Sequence, residues 1–216
     1  MSRRILGSHN ADIRKNTYVN WRLDENDLIA NLLVFARAYY EAAHMIARSI
    51  LQDNSGKSAD SLVFPMLFDI NQALELYLKA LQAMLNTLLG NGRKFNGGHY
   101  LVGHYGEFMS LLRRFEREHP DVGGDKKELD ALLSSVSSYI GELKDVFPER
   151  QRVSMDYPRY PVMSDKRTAH FYVKERDNVT VDVEYFIERI EQMFLGFDSL
   201  AGYFDLHVDY TRQARA

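Results

Sequence analysis

Pro65-Met-Leu-Phe-Asp-Ile-Asn71-Gln-Ala-Leu-Glu75-Leu-Tyr-Leu-Lys79-Ala-Leu-Gln82-Ala-Met-Leu-Asn86-Thr-Leu88 decides the reading of this chain. Its apolar residues fall on nearly every side of a helix, with Leu67, Ile70, Leu74, Tyr77, Leu78, Leu81, Leu85 and Leu88 recurring at helical spacing. One narrow stripe breaks the pattern: Gln72, Glu75, Lys79, Gln82 and Asn86. A helix of that kind belongs at the centre of a bundle, with one polar edge. The spacing predicts a start near Pro65, since proline is tolerated in a first turn.

Outward from this segment the chain reads as helices. Ile29, Leu32, Leu33, Ala36, Tyr40, Ala43, Ala47 and Ile50 predict a helix over about 27–52, capped by Asp24 or Asn26. Asn54 to Ser61 is a linker by composition. Gly90 to Gly106 holds six glycines and predicts a long loop, followed by a helix over about 107–118 that Pro120 ends. Leu129, Leu132, Leu133, Val136, Tyr139, Ile140 and Leu143 mark an amphipathic helix from Lys126 to about Phe147. Pro148, Pro158 and Pro161 make the next stretch irregular, and a hairpin is expected at about 169–181. A last helix runs from about Val183 to Leu206. The expected architecture is all-α: a five-helix bundle over 27–206 with a small β-hairpin before the last helix, an arm over 1–26 and a tail over 207–216.

Composition bounds the chemistry. The 216 residues are 45% hydrophobic and 26% charged, with a net charge of −3, enough for one domain with a full core and without a global basic footprint. The absence of cysteine removes disulfides, thiolate catalysis and Cys-based zinc or iron–sulfur sites. With no long apolar run and no signal-peptide core in Met1 to Gly7, the chain reads as cytoplasmic, without membrane contact. Neither nucleotide fingerprint is present. Gly92-Arg-Lys-Phe-Asn-Gly97 continues as Gly98-His99 where a phosphate loop needs Lys-Ser, and Phe95 stands where GxGxxG needs its third glycine.

Other motifs carry alternatives. Glu41-Ala-Ala-His44 and Glu116-Arg-Glu-His119 have the Glu-x-x-His spacing of di-iron bundles, with Glu75 and either Glu142 or Glu188 as further carboxylates. Arg37 and Arg48 beside the first pair, and the Arg113–His119 charge run, favour salt-bridged helix faces instead. No metal and no cofactor is therefore assigned. Arg37 with His44, or Arg114 with His119, has the residue types for metal-free RNA cleavage, the arginine stabilising charge and the histidine moving the proton. The Glu75/Lys79 pair reads equally as a structural network and as a site, because ionised groups on an apolar helix find partners or line a groove.

Three segments together resemble HEPN-domain proteins. Pro65…Asn71-Gln-Ala-Leu-Glu-Leu-Tyr-Leu-Lys-Ala-Leu81 is similar to the second-helix signature of that family. Gly103-His104-Tyr-Gly-Glu-Phe-Met-Ser-Leu111-Leu112 resembles its Gly-His turn, and Arg159-Tyr160-Pro161 a recurrent element before the last helix. The resemblance implies a helical bundle that forms a homodimer, has a role with RNA or nucleotides, and belongs to a prokaryotic defence or toxin–antitoxin setting. Active members are metal-independent ribonucleases with an Arg-x4–6-His motif near the last core helix. Here Arg167-Thr-Ala-His170 is too short for that motif. The expected site is a groove lined by Glu75, Lys79, His104, Arg159 and Tyr160. If it is catalytic, Arg159 and His104 form the charge-stabilising and acid–base pair, with His170 as a substitute base. The alternative is a non-catalytic dimeric module that assembles with a partner enzyme encoded nearby.

Overall fold

The computed structural model describes residues 6, 8–19, 21–120, 126–146 and 180–213. Within them lie five helices, α1 (Leu28–Gln52), α2 (Ala59–Leu88), α3 (Leu101–Glu118), α4 (Lys126–Val146) and α5 (Val183–Gln213), preceded by a short 3-10 turn at Ile13–Lys15. The all-α expectation holds. The hairpin expected at 169–181 falls almost wholly outside the described residues, and Thr180 and Val181 are in non-helical backbone.

α2 is the axis of the bundle and packs against α1, α3 and α5, while α4 closes onto α5. Its buried set runs nearly all round the helix, from Met66 to Asn86. Ala36, Ala43 and Ala47 are fully buried on α1, so short side chains bring that helix close to α2. On the other side aromatic rings fill the gap. Tyr77 stacks on Phe197 with centroids 5.2 Å apart, and Tyr40 of α1 stacks on Phe194 at 4.5 Å. Phe115 meets Phe204 edge-on at 5.5 Å and ties α3 to α5.

Four boundaries differ from the sequence expectation. α2 begins at Ala59, six residues before Pro65, with the Asn54 side-chain oxygen accepting from the Ala59 amide at 3.0 Å. Pro65 lies inside the helix, where its missing N–H frees only the exposed Ser61 carbonyl to water. α1 is capped by Asp27, whose side chain accepts from the Ala30 amide, and not by Asp24 or Asn26. α3 begins at Leu101 rather than near Glu107, so Gly103 and Gly106 are helical. Gly103 is there for space: a Cβ on it would stand 2.6 Å from the Tyr100 ring. α5 also continues past Leu206 to Gln213, into the stretch read as tail.

Candidate functional site

The polar stripe of α2 lies beneath the segment 90–100 that joins α2 to α3. Glu75 and Lys79 are buried, their side chains 1% and 9% exposed, and Lys79 Nζ donates to Glu75 Oε1 at 2.6 Å. Lys79 also donates to the Gly98 carbonyl at 2.9 Å, and its ammonium stands 5.7 Å from the Phe95 ring centre. One turn on, Gln82 Oε1 accepts from the Asn96 amide at 3.3 Å, while its amide nitrogen donates to the His104 carbonyl at 2.9 Å. A further turn on, Asn86 Nδ2 donates to the Lys94 carbonyl at 3.1 Å. Lys79, Gln82 and Asn86 thus hold Gly98, Asn96 and Lys94, so the loop runs antiparallel to the helix in fixed register. Gly98 has φ +88°, a conformation that favours glycine, at the point where its carbonyl turns to the site.

His104 enters from the first turn of α3 and is buried. Its Nε2 donates to the same Gly98 carbonyl at 3.1 Å, which sets the neutral tautomer with Nδ1 as acceptor. Burial holds this imidazole below the ordinary histidine range, with the Lys79 charge acting in the same direction, while the Gly98 carbonyl and Glu75 oppose it. His99 completes the set: its Nδ1 lies 3.1 Å from Glu75 Oε1, although its side chain is 73% exposed. Glu75 Oε1 therefore receives both Lys79 and His99, and Glu75 Oε2 is buried with no hydrogen-bond partner among the described residues. A buried carboxylate oxygen in that state costs about 1–3 kcal/mol or more until a donor reaches it.

Glu75, Lys79 and His104, chosen from sequence, are brought together. Arg159, Tyr160 and His170 lie outside the described residues. The groove expected along the stripe is covered, because the loop occupies it. His99, which the sequence reading did not place in the site, is recognisable only as the residue after the paired Gly97-Gly98.

The competing motifs resolve differently. Arg37 and His44 share one face of α1, but each is held by its own carboxylate on α5. Arg37 Nε and Asp198 Oδ1 are 2.9 Å apart, and His44 Nε2 and Glu191 Oε1 2.6 Å. Buried Tyr77 also donates to Asp198, at 2.7 Å, and burial together with that carboxylate raises its phenol far above the ordinary range. Arg114 turns to Glu118 and Asn91, both at 2.7 Å, while the His119 ring lies against Phe115. The two Glu-x-x-His pairs do not converge on Glu75, and among the described residues no group of three or more His, Asp or Glu is placed to hold a metal ion. An open cleft of about 400 Å³ between α4 and α5 lies away from the stripe, and Ser134, Ser138, Tyr185 and Arg189 are among its lining residues. Arg189 is tied there to Glu142 at 2.5 Å.

Comparison with protein-family models, with curated proteins and with solved structures finds no match. Any assignment therefore rests on the residues themselves. Among the described residues no helix is long and apolar enough to cross a membrane.

Proposed function

We propose that this chain is a HEPN-like helical bundle, active as a homodimer, that binds RNA or a nucleotide where the 90–100 loop meets α2. The observation that carries the reading is the buried carboxylate of Glu75, with one oxygen saturated and the other lacking a donor, beside an ammonium and a neutral imidazole. Buried ionisable groups held in one place are the usual material of a site. Bases and riboses bring the N–H and O–H donors that Glu75 Oε2 lacks, and Lys79 is the cation for a phosphate once its hold on Gly98 is released. Binding then requires the loop to lift from the stripe, and His99, already at the surface, exchanges its contact with Glu75 for one with the incoming ligand.

The test is binding of fluorescent mixed-sequence RNA and of mononucleotides by the purified protein, with cleavage of end-labelled RNA in excess EDTA run in parallel. His99→Ala and His104→Gln should weaken binding at least tenfold with far-UV circular dichroism unchanged. Arg159→Ala belongs in the series because the resemblance puts that residue in the site. Absence of binding, or binding that these variants retain, refutes the assignment. EDTA-resistant cutting lost in both histidine variants makes the protein a metal-independent ribonuclease in a defence or toxin–antitoxin role.

A non-catalytic module is the second reading, favoured by large apolar side chains exposed on α1 and α5. It predicts no binding of RNA or nucleotide, and a stoichiometric complex with the product of an adjacent gene on co-expression.

A further inference from the structure

The arm before α1 is built, yet its apolar side chains stand in water. Asp12 caps the 3-10 turn, and Asn10 and Asn16 exchange hydrogen bonds, the Asn10 amide to Asn16 Oδ1 at 2.7 Å and Asn16 Nδ2 to the Asn10 carbonyl at 2.9 Å. At its far end the arm is fastened to α1, where the Asp24 amide donates to Asn31 Oδ1 at 2.9 Å. Along the arm Ile13, Tyr18, Val19 and Trp21 are exposed, Trp21 by 79%. Tyr18 and Trp21 hold their rings 6.2 Å apart, an aromatic pair with nothing over it among the described residues.

The same chain has a second uncovered apolar surface. Asn31, where the arm is clasped, heads an outer row of α1 that continues through Val34, Ala38, Ala42 and Met45 at spacings of three and four. Met45 is 65% exposed, and Phe35 borders the row. Across the Arg37–Asp198 and His44–Glu191 seam, α5 exposes Leu195 and Leu206, 71% and 63%, with Ser199 and Gly202 between them. Charge separates the two surfaces. From Val183 to Gln213 α5 carries six acidic residues against Arg189 and Arg212, whereas the arm over 1–26 carries Arg3, Arg4, Arg14, Lys15 and Arg22 against Asp12, Asp24 and Glu25.

We infer that the arm of one copy, through Tyr18 and Trp21, docks on the outer α1–α5 face of a second copy. A two-fold arrangement covers both surfaces of both chains at once, because each arm meets the partner's face and each face the partner's arm. Basic arm on acidic helix fixes the orientation. Eight large side chains per copy, each removing about 100 Å² from water, supply roughly the 800 Å² per partner of a stable interface. The inference takes from the functional reading only that the protein is a homodimer. It is independent of any ligand at Glu75.

Trp21 is the chain's single tryptophan, so its emission reports the arm alone. The experiment is sedimentation equilibrium of the full chain with Trp21 emission and acrylamide quenching over about 0.1–100 μM. A dimer is expected, with emission moving to shorter wavelength by about 10 nm and quenching falling at least twofold as it forms. Leu195→Glu, a solvent-facing change, should give a folded monomer in which Trp21 stays water-exposed, and Trp21→Arg should also give a monomer. A monomer at every concentration overturns the inference, and so does a dimer whose Trp21 emission does not move. RNA binding without a dimer refutes the arm contact and leaves the Glu75 site standing; a dimer without RNA binding does the reverse.

Discussion

Removing the charge of Lys79 separates an enclosed ion pair from a surface one. In Lys79→Met the Glu75 carboxylate stays buried, keeps only His99 at 3.1 Å, and still has no donor on Oε2 among the described residues. Breaking such a pair by removing one partner costs about 3–5 kcal/mol, because a charge is left in a medium that cannot solvate it. For a chain of this length that corresponds to a melting temperature roughly 6–20 °C lower. Glu75→Met should cost a similar amount, because it strands the Lys79 ammonium with only the Gly98 carbonyl. The double variant removes both charges and leaves apolar side chains in an apolar helix, so it should lie within about 2 kcal/mol of the parent, the residue being mainly the lost tie to Gly98. Urea denaturation of the four proteins gives the cycle, with a coupling of about 3 kcal/mol or more expected. Singles that each cost under about 1 kcal/mol, or effects that simply add, would show a water-screened pair and refute the enclosure argument.

Other perturbations follow from the same contacts. An unfolded histidine takes a proton near pH 6.5, whereas burial makes His104 resist it, so the unfolded chain binds more protons as pH falls. The His104 contribution is therefore fully present above about pH 6.5 and is lost progressively below it; urea midpoints from about pH 7.5 to 5 should fall more steeply for the parent than for His104→Gln, and equal slopes count against it. Gly103→Ala drives a methyl to 2.6 Å from the Tyr100 ring and should cost about 1–3 kcal/mol, with Tyr100→Ala in the same chain relieving most of the added penalty. Asp198→Ala should destabilise by about 1–3 kcal/mol, more than Arg37→Ala, since it strands the buried Tyr77 hydroxyl as well as an exposed guanidinium. Thermal melts of the two variants rank them, and the reverse order would refute the assignment of Asp198 as the holder of Tyr77.

The amphipathic elements were legible because side-chain periodicity carries their signal, and α4 was read to within a residue at its end. The stripe of α2 was legible as an anomaly, and with it the pairing of Glu75 with Lys79. Its closure was not. The loop offers the stripe backbone groups of Lys94, Asn96 and Gly98, and carbonyls and amides leave no residue-type trace. Glycine misled twice, at Gly103 and Gly106, where a propensity penalty is overridden by a close ring and by the packing of α3. Pro65 misled for the opposite reason, since an exposed helix edge tolerates its missing donor. Arg37 and His44 were rightly placed on one stripe, but the acids that claim them sit some 150 residues away in sequence, beyond the reach of local spacing.

The antiparallel hold of α2 on the loop makes the helix a ruler. Lys79, Gln82 and Asn86 rise about 4.5 and 6 Å from one to the next along the axis, and each takes hold of the loop two residues further back, at Gly98, Asn96 and Lys94. The match holds only while the count between Lys94 and Gly98 is unchanged. One residue inserted there would put a side chain's worth of offset into every rung beyond it, and a deletion would do the same in the other sense. Between Gly92 and Arg93, where the chain is exposed, length is free. Homologous chains should therefore vary in loop length on the Gly92 side and keep a fixed number of residues from the rung at Asn86 to the one at Lys79, whatever their side chains.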